Sequence, residues 1–139
     1  MGGRLGNHIE TAILLKMKFY LRRRSKYNNR KVSIDGVSFD SKKEAAHWNQ
    51  LKIREASGQI RKIEPHPKFT LQESFQDHMG GKHRAITYEA DFRYFDIELG
   101  KTVVVDVKAS KFMLTDVYKI KKKLFLKKLD SSVLFLELF

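Results

Sequence analysis

Apolar residues recur at helical spacing in three segments of the chain, and this pattern predicts three helices. The first covers residues 8–24, the second covers residues 41–57, and the third begins at Thr115 or Asp116 and ends near Asp130. The residues of the third helix that we expect to face the core are Val117, Ile120 and Leu124. Three roles stay open for the first helix: packing on the domain, forming a dimer arm, or lying on an anionic surface.

Alternating or β-branched residues predict the strands. A small hairpin is expected at residues 31–39, an extended segment at 69–75 and an alternating strand at 85–95. An apolar strand at 102–107, too apolar for a sheet edge, and another at 133–139 complete the set. With the hairpin and the N-terminal helix set aside, the order is helix, three strands, helix, strand. This order predicts an α/β fold in which helices flank a central mixed sheet.

Composition narrows the domain count and the function classes. A chain of 139 residues, 42% of them hydrophobic, favours one domain, which we place at residues 26–139 behind a helical and basic extension at residues 1–25. The 28 Lys and Arg against 16 Asp and Glu give a net charge of +12, which indicates a polyanionic partner such as nucleic acid. The absence of cysteine excludes disulfides and favours the cytoplasm. No apolar run approaches the ~20 residues of a membrane span, so we expect no membrane partner.

Two charged residues stand out at the end of the apolar strand before the third helix. Side chains alternate along a strand, so Asp106 and Lys108 project to one face and the neighbouring valines to the other. Asp91 on the preceding strand can meet Asp106 across the strand pair. Glu44 shares the apolar face of the second helix with Trp48, one turn further on.

Three carboxylates and a lysine at one end of a sheet suit Mg²⁺, for which Mn²⁺ is the expected substitute. Such a metal would hold a scissile phosphate and lower the pKa of a bound water, while Lys108 orients that water or stabilises the developing charge. Site and net charge together therefore predict hydrolysis of phosphodiester bonds in nucleic acid.

Simpler explanations stay open for these residues. Glu44 stands three positions after Ser41 in a capping-box sequence, so its side chain can bind the Ser41 amide, alone or in addition to a metal. Asp106 and Lys108 can form an ordinary surface ion pair, which contributes little stability.

These motifs resemble the PD-(D/E)xK nuclease superfamily. The resemblance is carried by Tyr88-Glu89-Ala90-Asp91-Phe92, then Val105-Asp106-Val107-Lys108, with Glu44 upstream on a helix. One departure is Ala90, where the superfamily often has proline. The stretch from Ser25 to about Lys128 further resembles small phage-encoded members related to Holliday junction resolvases and to the nuclease subunit of some transposases.

The resemblance implies a restriction-endonuclease-like core with the order α-β-β-β-α-β. It implies Asp91, Asp106 and Glu44 as Mg²⁺ ligands and Lys108 as the catalytic lysine. Glu89 is near Asp91 on the same strand face, so it can replace Asp91 or assist it from outside the metal site. The implied activity is a Mg²⁺-dependent DNA endonuclease of phage origin that resolves branched DNA such as Holliday junctions. We expect it to act as a homodimer, because two symmetric nicks need two active sites. The expected location is the cytoplasm of the bacterial host.

Basic side chains are the candidates for contacts with the DNA backbone. They are Arg22, Arg23, Arg24, Lys42, Lys43, Lys119, Lys121, Lys122 and Lys123. Two other function classes stay open. One is a non-catalytic or partner-dependent DNA-binding protein that retains the nuclease fold, and the other is a membrane-surface protein led by its N-terminal helix.

Overall fold

A hairpin, two helices and a four-stranded sheet make up most of residues 31–139, the part of the chain that the computed structural model describes. The predicted helix at residues 8–24 and the arginines at 22–24 lie outside these described residues. The strands are β1 (Val32–Ile34), β2 (Val37–Phe39), β3 (Ile60–Pro65), β4 (Lys68–Gln72), β5 (Phe75–Gln76), β6 (Lys82–His83), β7 (Ile86–Glu89), β8 (Phe92–Asp96), β9 (Lys101–Val107) and β10 (Val133–Leu138). The helices are α1 (Lys42–Ala56) and α2 (Asp116–Lys128), and a 3₁₀ turn at Lys111–Met113 precedes α2. Neither of these described helices is long and apolar enough to cross a membrane.

The central sheet has the strand order β10-β9-β8-β3. β10 runs parallel to β9, whereas β8 runs antiparallel to both of its neighbours, β9 and β3. The interior position of β9 confirms the prediction made from its β-branched sequence, and its three central valines are almost fully buried. With α1 before β3 and α2 between β9 and β10, the mixed α/β fold with a central mixed sheet is also confirmed.

Two of the predicted strands differ from the structure. Residues 85–95 form two strands instead of one, because strand pairing is interrupted at Ala90 and Asp91. β7, before the break, pairs with β4 in a separate two-stranded sheet, and β8, after it, joins the central sheet. The predicted extended segment at residues 69–75 therefore contributes β4 to the smaller sheet and no strand to the central one.

β3 is a strand that the sequence pattern did not predict. Ile60 is buried, but Arg61 and Lys62 are both exposed, so the strand does not alternate. Lys62 has a positive φ of 57°, and the register with β8 shifts between Arg61 and Glu64. A bulge of this kind breaks the period of two by which strands are recognised, and β3 was missed for that reason.

The two faces of β9 carry two separate packing clusters. Three valines of β9 pack with Trp48 of α1 on one face. Val104 packs near Phe125 of α2 on the other face. Asp106 lies two residues beyond Val104, so it shares the α2 face, as the alternation predicts.

The inward face predicted for α2 was wrong. Val117, Ile120 and Leu124 are 63%, 59% and 39% exposed, whereas Phe125 is buried and Tyr118 is partly buried. The sequence of α2 has apolar residues on two faces, and both sets fit the helical period. The aromatic residues of α2 face the interior instead: the rings of Phe125 and Tyr118 both contact the ring of Tyr88 from β7.

Candidate active site

Asp106 is a carboxylate in the interior of the protein. It is 1% exposed, near the end of β9. Its Oδ1 lies 2.7 Å from Nζ of Lys108, whose side chain is 27% exposed, and its Oδ2 accepts a hydrogen bond from the Tyr88 hydroxyl. Burial, with the nearby charge of Asp106, raises the pKa of Tyr88, so the hydroxyl stays a donor. Because Asp106 is buried, its contact with Lys108 is not the ordinary surface ion pair that the sequence analysis kept as an alternative.

Asp91 lies in the break between β7 and β8, and the neighbouring strand fixes it on both sides. Its amide N–H donates to the Val105 carbonyl at 3.0 Å, and its Oδ2 accepts the Val107 N–H at 2.5 Å. Burial is the main cause that raises the pKa of Asp91, and the charges of Asp106 and Glu44 raise it further, against the Val107 hydrogen bond. Two acids held this close together favour a retained proton or a bound cation.

Glu44 caps α1 together with Ser41, but its carboxylate accepts from the Ser41 hydroxyl and the Asp40 N–H and not from the Ser41 amide that the capping-box sequence predicts. Its backbone N–H donates to Ser41 Oγ at 3.1 Å, its Oε1 accepts the Ser41 hydroxyl at 3.2 Å, and its Oε2 accepts the Asp40 N–H at 3.2 Å. The side chain is also buried, and burial raises the pKa of Glu44. Its charge also acts on Asp91 and raises the pKa of that carboxyl.

Behind Lys108, a group of side chains from α2 and β10 fixes its ammonium group. Nζ of Lys108 lies 4.0 Å from the centre of the Tyr118 ring, a cation–π contact. The Tyr118 hydroxyl donates to Glu137 Oε2 at 2.7 Å, and Glu137 also pairs with Lys122. Partial burial acts to raise the pKa of Glu137, but the hydrogen bonds from Lys122 and Tyr118 lower it overall. Glu137 is the register partner of Asp106, which explains why the two acids share this cluster.

Tyr88, Tyr118 and Glu137 were not assigned to the site from the sequence. From the sequence, Tyr88 was interpreted only as one of the apolar residues on one face of its strand. Glu137 carried a usable signal, since a single acid in an otherwise apolar strand is the same pattern that identified Asp106. No comparable signal marked Tyr118, because its contact with Lys108 depends on how α2 docks.

The carboxylate of Glu89 lies beside two basic side chains. It is 3.6 Å from Lys68 Nζ and 3.8 Å from His66 Nδ1. The backbone N–H of His66 in turn donates to the Asp91 carbonyl at 2.9 Å, so Glu89 is connected to Asp91 through His66.

The basic residues assigned to DNA contact differ in their surroundings. Lys43 donates to the Lys108 carbonyl at 3.1 Å, which places its ammonium group beside the site. Lys122 is paired with Glu137 and its side chain is 28% exposed. The other described members lie exposed or partly exposed on the helices: Lys42, Lys119, Lys121 and Lys123.

The side chains of Asp91 and Asp106 fit the donor set of Mg²⁺. This ion binds through one or two carboxylates and completes its coordination with water and substrate phosphate. Within residues 31–139, no group of three or more acidic, histidine or cysteine side chains is arranged to hold a metal ion. The two aspartates are the described groups that fit the ion, and the third ligand that the resemblance implies, Glu44, stays a prediction.

One protein family matches most of the chain. Its model covers residues 24–137 and is described as "Protein of unknown function (DUF1064)". No curated protein and no solved structure matches the chain significantly.

Proposed function

The chain belongs to the DUF1064 family, and we propose that it is a Mg²⁺-dependent endonuclease that hydrolyses phosphodiester bonds in DNA. The observation that carries the proposal is the Asp106 carboxylate, buried in the sheet and bonded to Lys108 on one side and Tyr88 on the other. Burying a carboxylate costs stability unless it is paired and hydrogen-bonded, and buried acids of this kind are concentrated at functional sites. Asp91 adds a second acid beside it.

Asp91 and Asp106 are the residues that would hold Mg²⁺, which supplies charge neutralisation at the phosphate and a more acidic bound water. Tyr88 fixes the orientation of Asp106 by its hydrogen bond. Lys108 is held by Asp106 and the Tyr118 ring, so its ammonium group is positioned before substrate arrives. In the proposed reaction Lys108 orients the attacking water or stabilises negative charge that develops on the phosphate.

The order of the elements supports the proposal. When β4–β7, which lie between β3 and β8 in the chain, are set aside, the elements from α1 onward follow the order α-β-β-β-α-β. This is the core order of the PD-(D/E)xK nucleases that the sequence motifs resemble. Asp91 precedes the second strand of this core, and Asp106 with Lys108 ends the third.

DNA is the proposed substrate because the chain carries a net charge of +12 and Lys43 lies beside the site. We extend the proposal to branched DNA and to a homodimer that supplies two active sites. Static light scattering of the full chain tests the second point, and a monomer at every concentration contradicts it.

Cleavage assays with one matched control test the proposed activity. The purified full chain is incubated with a four-way junction, a flap and a plain duplex, with Mg²⁺, with Mn²⁺ or with EDTA. We expect metal-dependent nicking that Asp106→Asn abolishes and Asp130→Asn retains, because Asp130 only bonds Ser132 in an exposed turn. Nicking by Asp106→Asn at the wild-type rate removes Asp106 from the reaction.

A second candidate is a DNA-binding protein that keeps the fold without catalysis. The lack of a three-ligand metal cluster within residues 31–139 favours it. The same assay separates the two, since this candidate predicts DNA binding with no nicking in either metal.

A further inference from the structure

The turn between β9 and α2, residues 109–115, carries a fully exposed aromatic side chain. Phe112 is 100% exposed and its neighbour Met113 is 73% exposed. Single exposed apolar residues are common on protein surfaces, so exposure by itself says little. Phe112 and Met113 differ from such isolated residues in two respects: the backbone around them is structured, and they follow the candidate site closely in the chain.

The turn is held in place from both ends. Ser110 Oγ accepts the Phe112 N–H at 3.2 Å, and the Ser110 carbonyl accepts the Met113 N–H at 3.3 Å. Thr115 then caps α2 by accepting the Tyr118 N–H at 3.1 Å. The backbone therefore presents Phe112 to solvent on a structured turn.

Phe112 follows Lys108 by four residues, so the two Cα atoms are at most about 14 Å apart. Successive nucleotides of a strand are spaced by about 3.4 Å along the duplex axis. This upper bound spans about four nucleotide spacings, so the turn lies within a few nucleotides of a phosphate bound at Asp106 and Lys108.

The charge around the turn indicates which ligand the ring meets. Lys108 lies just before the turn and Lys111 lies within it, with the Lys111 ammonium group 5.3 Å from the centre of the Phe139 ring. Exposed Lys119 lies on the first turn of α2, 3.8 Å from the carboxylate of Asp116. Exposed aromatic rings among cationic side chains are how proteins hold unpaired bases, whose phosphates meet the cations while the ring stacks on the base. An apolar patch that served an ordinary protein partner would not need this excess of lysine.

We propose that Phe112, with Met113 beside it, stacks on an unpaired base next to the phosphate that the site binds. This inference rests on the proposed nuclease function. It makes the turn the part of the protein that selects DNA with an unpaired base. DNA with a disrupted stack exposes such a base at no extra cost, whereas in a paired duplex inserting an apolar side chain requires unstacking of a base step.

Fluorescence of 2-aminopurine tests the contact without cleavage. The base analogue is placed in a short unpaired bubble, and the full-length protein is added in EDTA. We expect the fluorescence to change on binding, and Phe112→Ala to abolish the change and weaken bubble binding by about 5- to 150-fold, the range of one lost stacking contact. Phe112→Tyr keeps a ring and should retain both. The matched control is Met79→Ala, another highly exposed apolar residue, on the β5–β6 hairpin.

Cleavage of the bubble and of a paired duplex in Mg²⁺ distinguishes this proposal from the nuclease proposal. Nicking with the same bubble preference in wild type and Phe112→Ala overturns the stacking role and leaves the nuclease standing. A ring-dependent fluorescence change with no nicking of either DNA overturns the nuclease and supports the base contact. An equal loss of binding to bubble and duplex, or a change from dimer to monomer in Phe112→Ala, also overturns the stacking role.

Discussion

Glu44 shows how one side chain can serve both the fold and the candidate site. Both of its carboxylate oxygens accept hydrogen bonds at the start of α1, from the Ser41 hydroxyl and from the Asp40 N–H. Its negative charge also acts on Asp91. A glutamine keeps a carbonyl acceptor of the same reach, so Glu44→Gln removes the charge and retains most of the cap.

We expect Glu44→Gln to keep or raise the melting temperature at neutral pH. Burial raises the pKa of Glu44, so the charged form is disfavoured in the folded protein. The stability that comes from this shift is present below the ordinary pKa of a glutamate and is lost as pH rises through the folded-state pKa. The higher melting temperature of Glu44→Gln relative to wild type should therefore be seen at neutral pH and disappear near pH ~4, where the wild-type glutamate is protonated in both states. Differential scanning calorimetry across this range measures it.

Cleavage by the same variant separates the two roles. If the charge of Glu44 helps to hold the metal, Glu44→Gln slows nicking by orders of magnitude, with partial recovery at high Mg²⁺ or in Mn²⁺. Ser41→Ala is the control, since it removes the capping hydroxyl at a cost of about 0.5–2 kcal/mol and leaves the charge in place. Full activity of Glu44→Gln at low Mg²⁺ would restrict Glu44 to the cap.

At the level of single residues, sequence identified the charged groups and missed their partners. Asp106 and Lys108 were recognisable because charge at the end of a valine-rich strand is unusual. The hydroxyl of Tyr88 and the ring of Tyr118 reach them only through tertiary packing, which spacing along the chain does not encode.

Among the elements, α2 determines how firmly Lys108 is held. Its Tyr118 contributes two separable interactions, the ring face toward Lys108 and the hydroxyl toward Glu137. Phenylalanine at this position keeps the first and deletes the second, whereas leucine deletes both.

We expect Tyr118→Phe to lower the free energy of unfolding by about 0.5–1.5 kcal/mol, the usual net contribution of one hydrogen bond, with nicking nearly unchanged. Tyr118→Leu should lose a similar hydrogen bond and also slow nicking, because the ammonium group of Lys108 loses its aromatic contact. Urea unfolding and single-turnover cleavage measure the two effects. Equal nicking rates in the two variants would show that the ring does not position Lys108.

Element prediction succeeded where hydrophobic patterns were regular and failed where the backbone was irregular. β9 and α1 follow simple patterns and were placed correctly. The bulge in β3 and the break at Asp91 both interrupt alternation, so one strand was missed and another was taken as continuous. The break is also what turns Asp91 toward β9, so the irregularity that defeated the pattern builds part of the site.

For the whole molecule, the proposed binding to DNA rests on the excess of positive charge. Phosphate contacts release counterions, so the logarithm of affinity falls linearly with the logarithm of salt, with a slope of about −0.9 per contact. The net charge of +12 fits several contacts, but each lysine adds to the slope only if its ammonium group is available for a phosphate. Lys122 and Lys123 are adjacent in α2 and differ in this respect, because Glu137 holds Lys122 while Lys123 is exposed.

We therefore expect Lys123→Ala to reduce the magnitude of the salt slope by about 1, and Lys122→Ala to leave it unchanged. Lys122→Ala should instead lower the melting temperature, because it leaves the carboxylate of Glu137, itself partly buried, with only the Tyr118 hydroxyl. Fluorescence anisotropy of a labelled duplex in EDTA, measured across a series of salt concentrations, gives the slopes. Slopes equal to the wild-type slope in both variants would mean that neither lysine reaches a phosphate, and an equal reduction in both would mean that Lys122 reaches one as well. An affinity independent of salt in the wild type would contradict binding through the DNA backbone altogether.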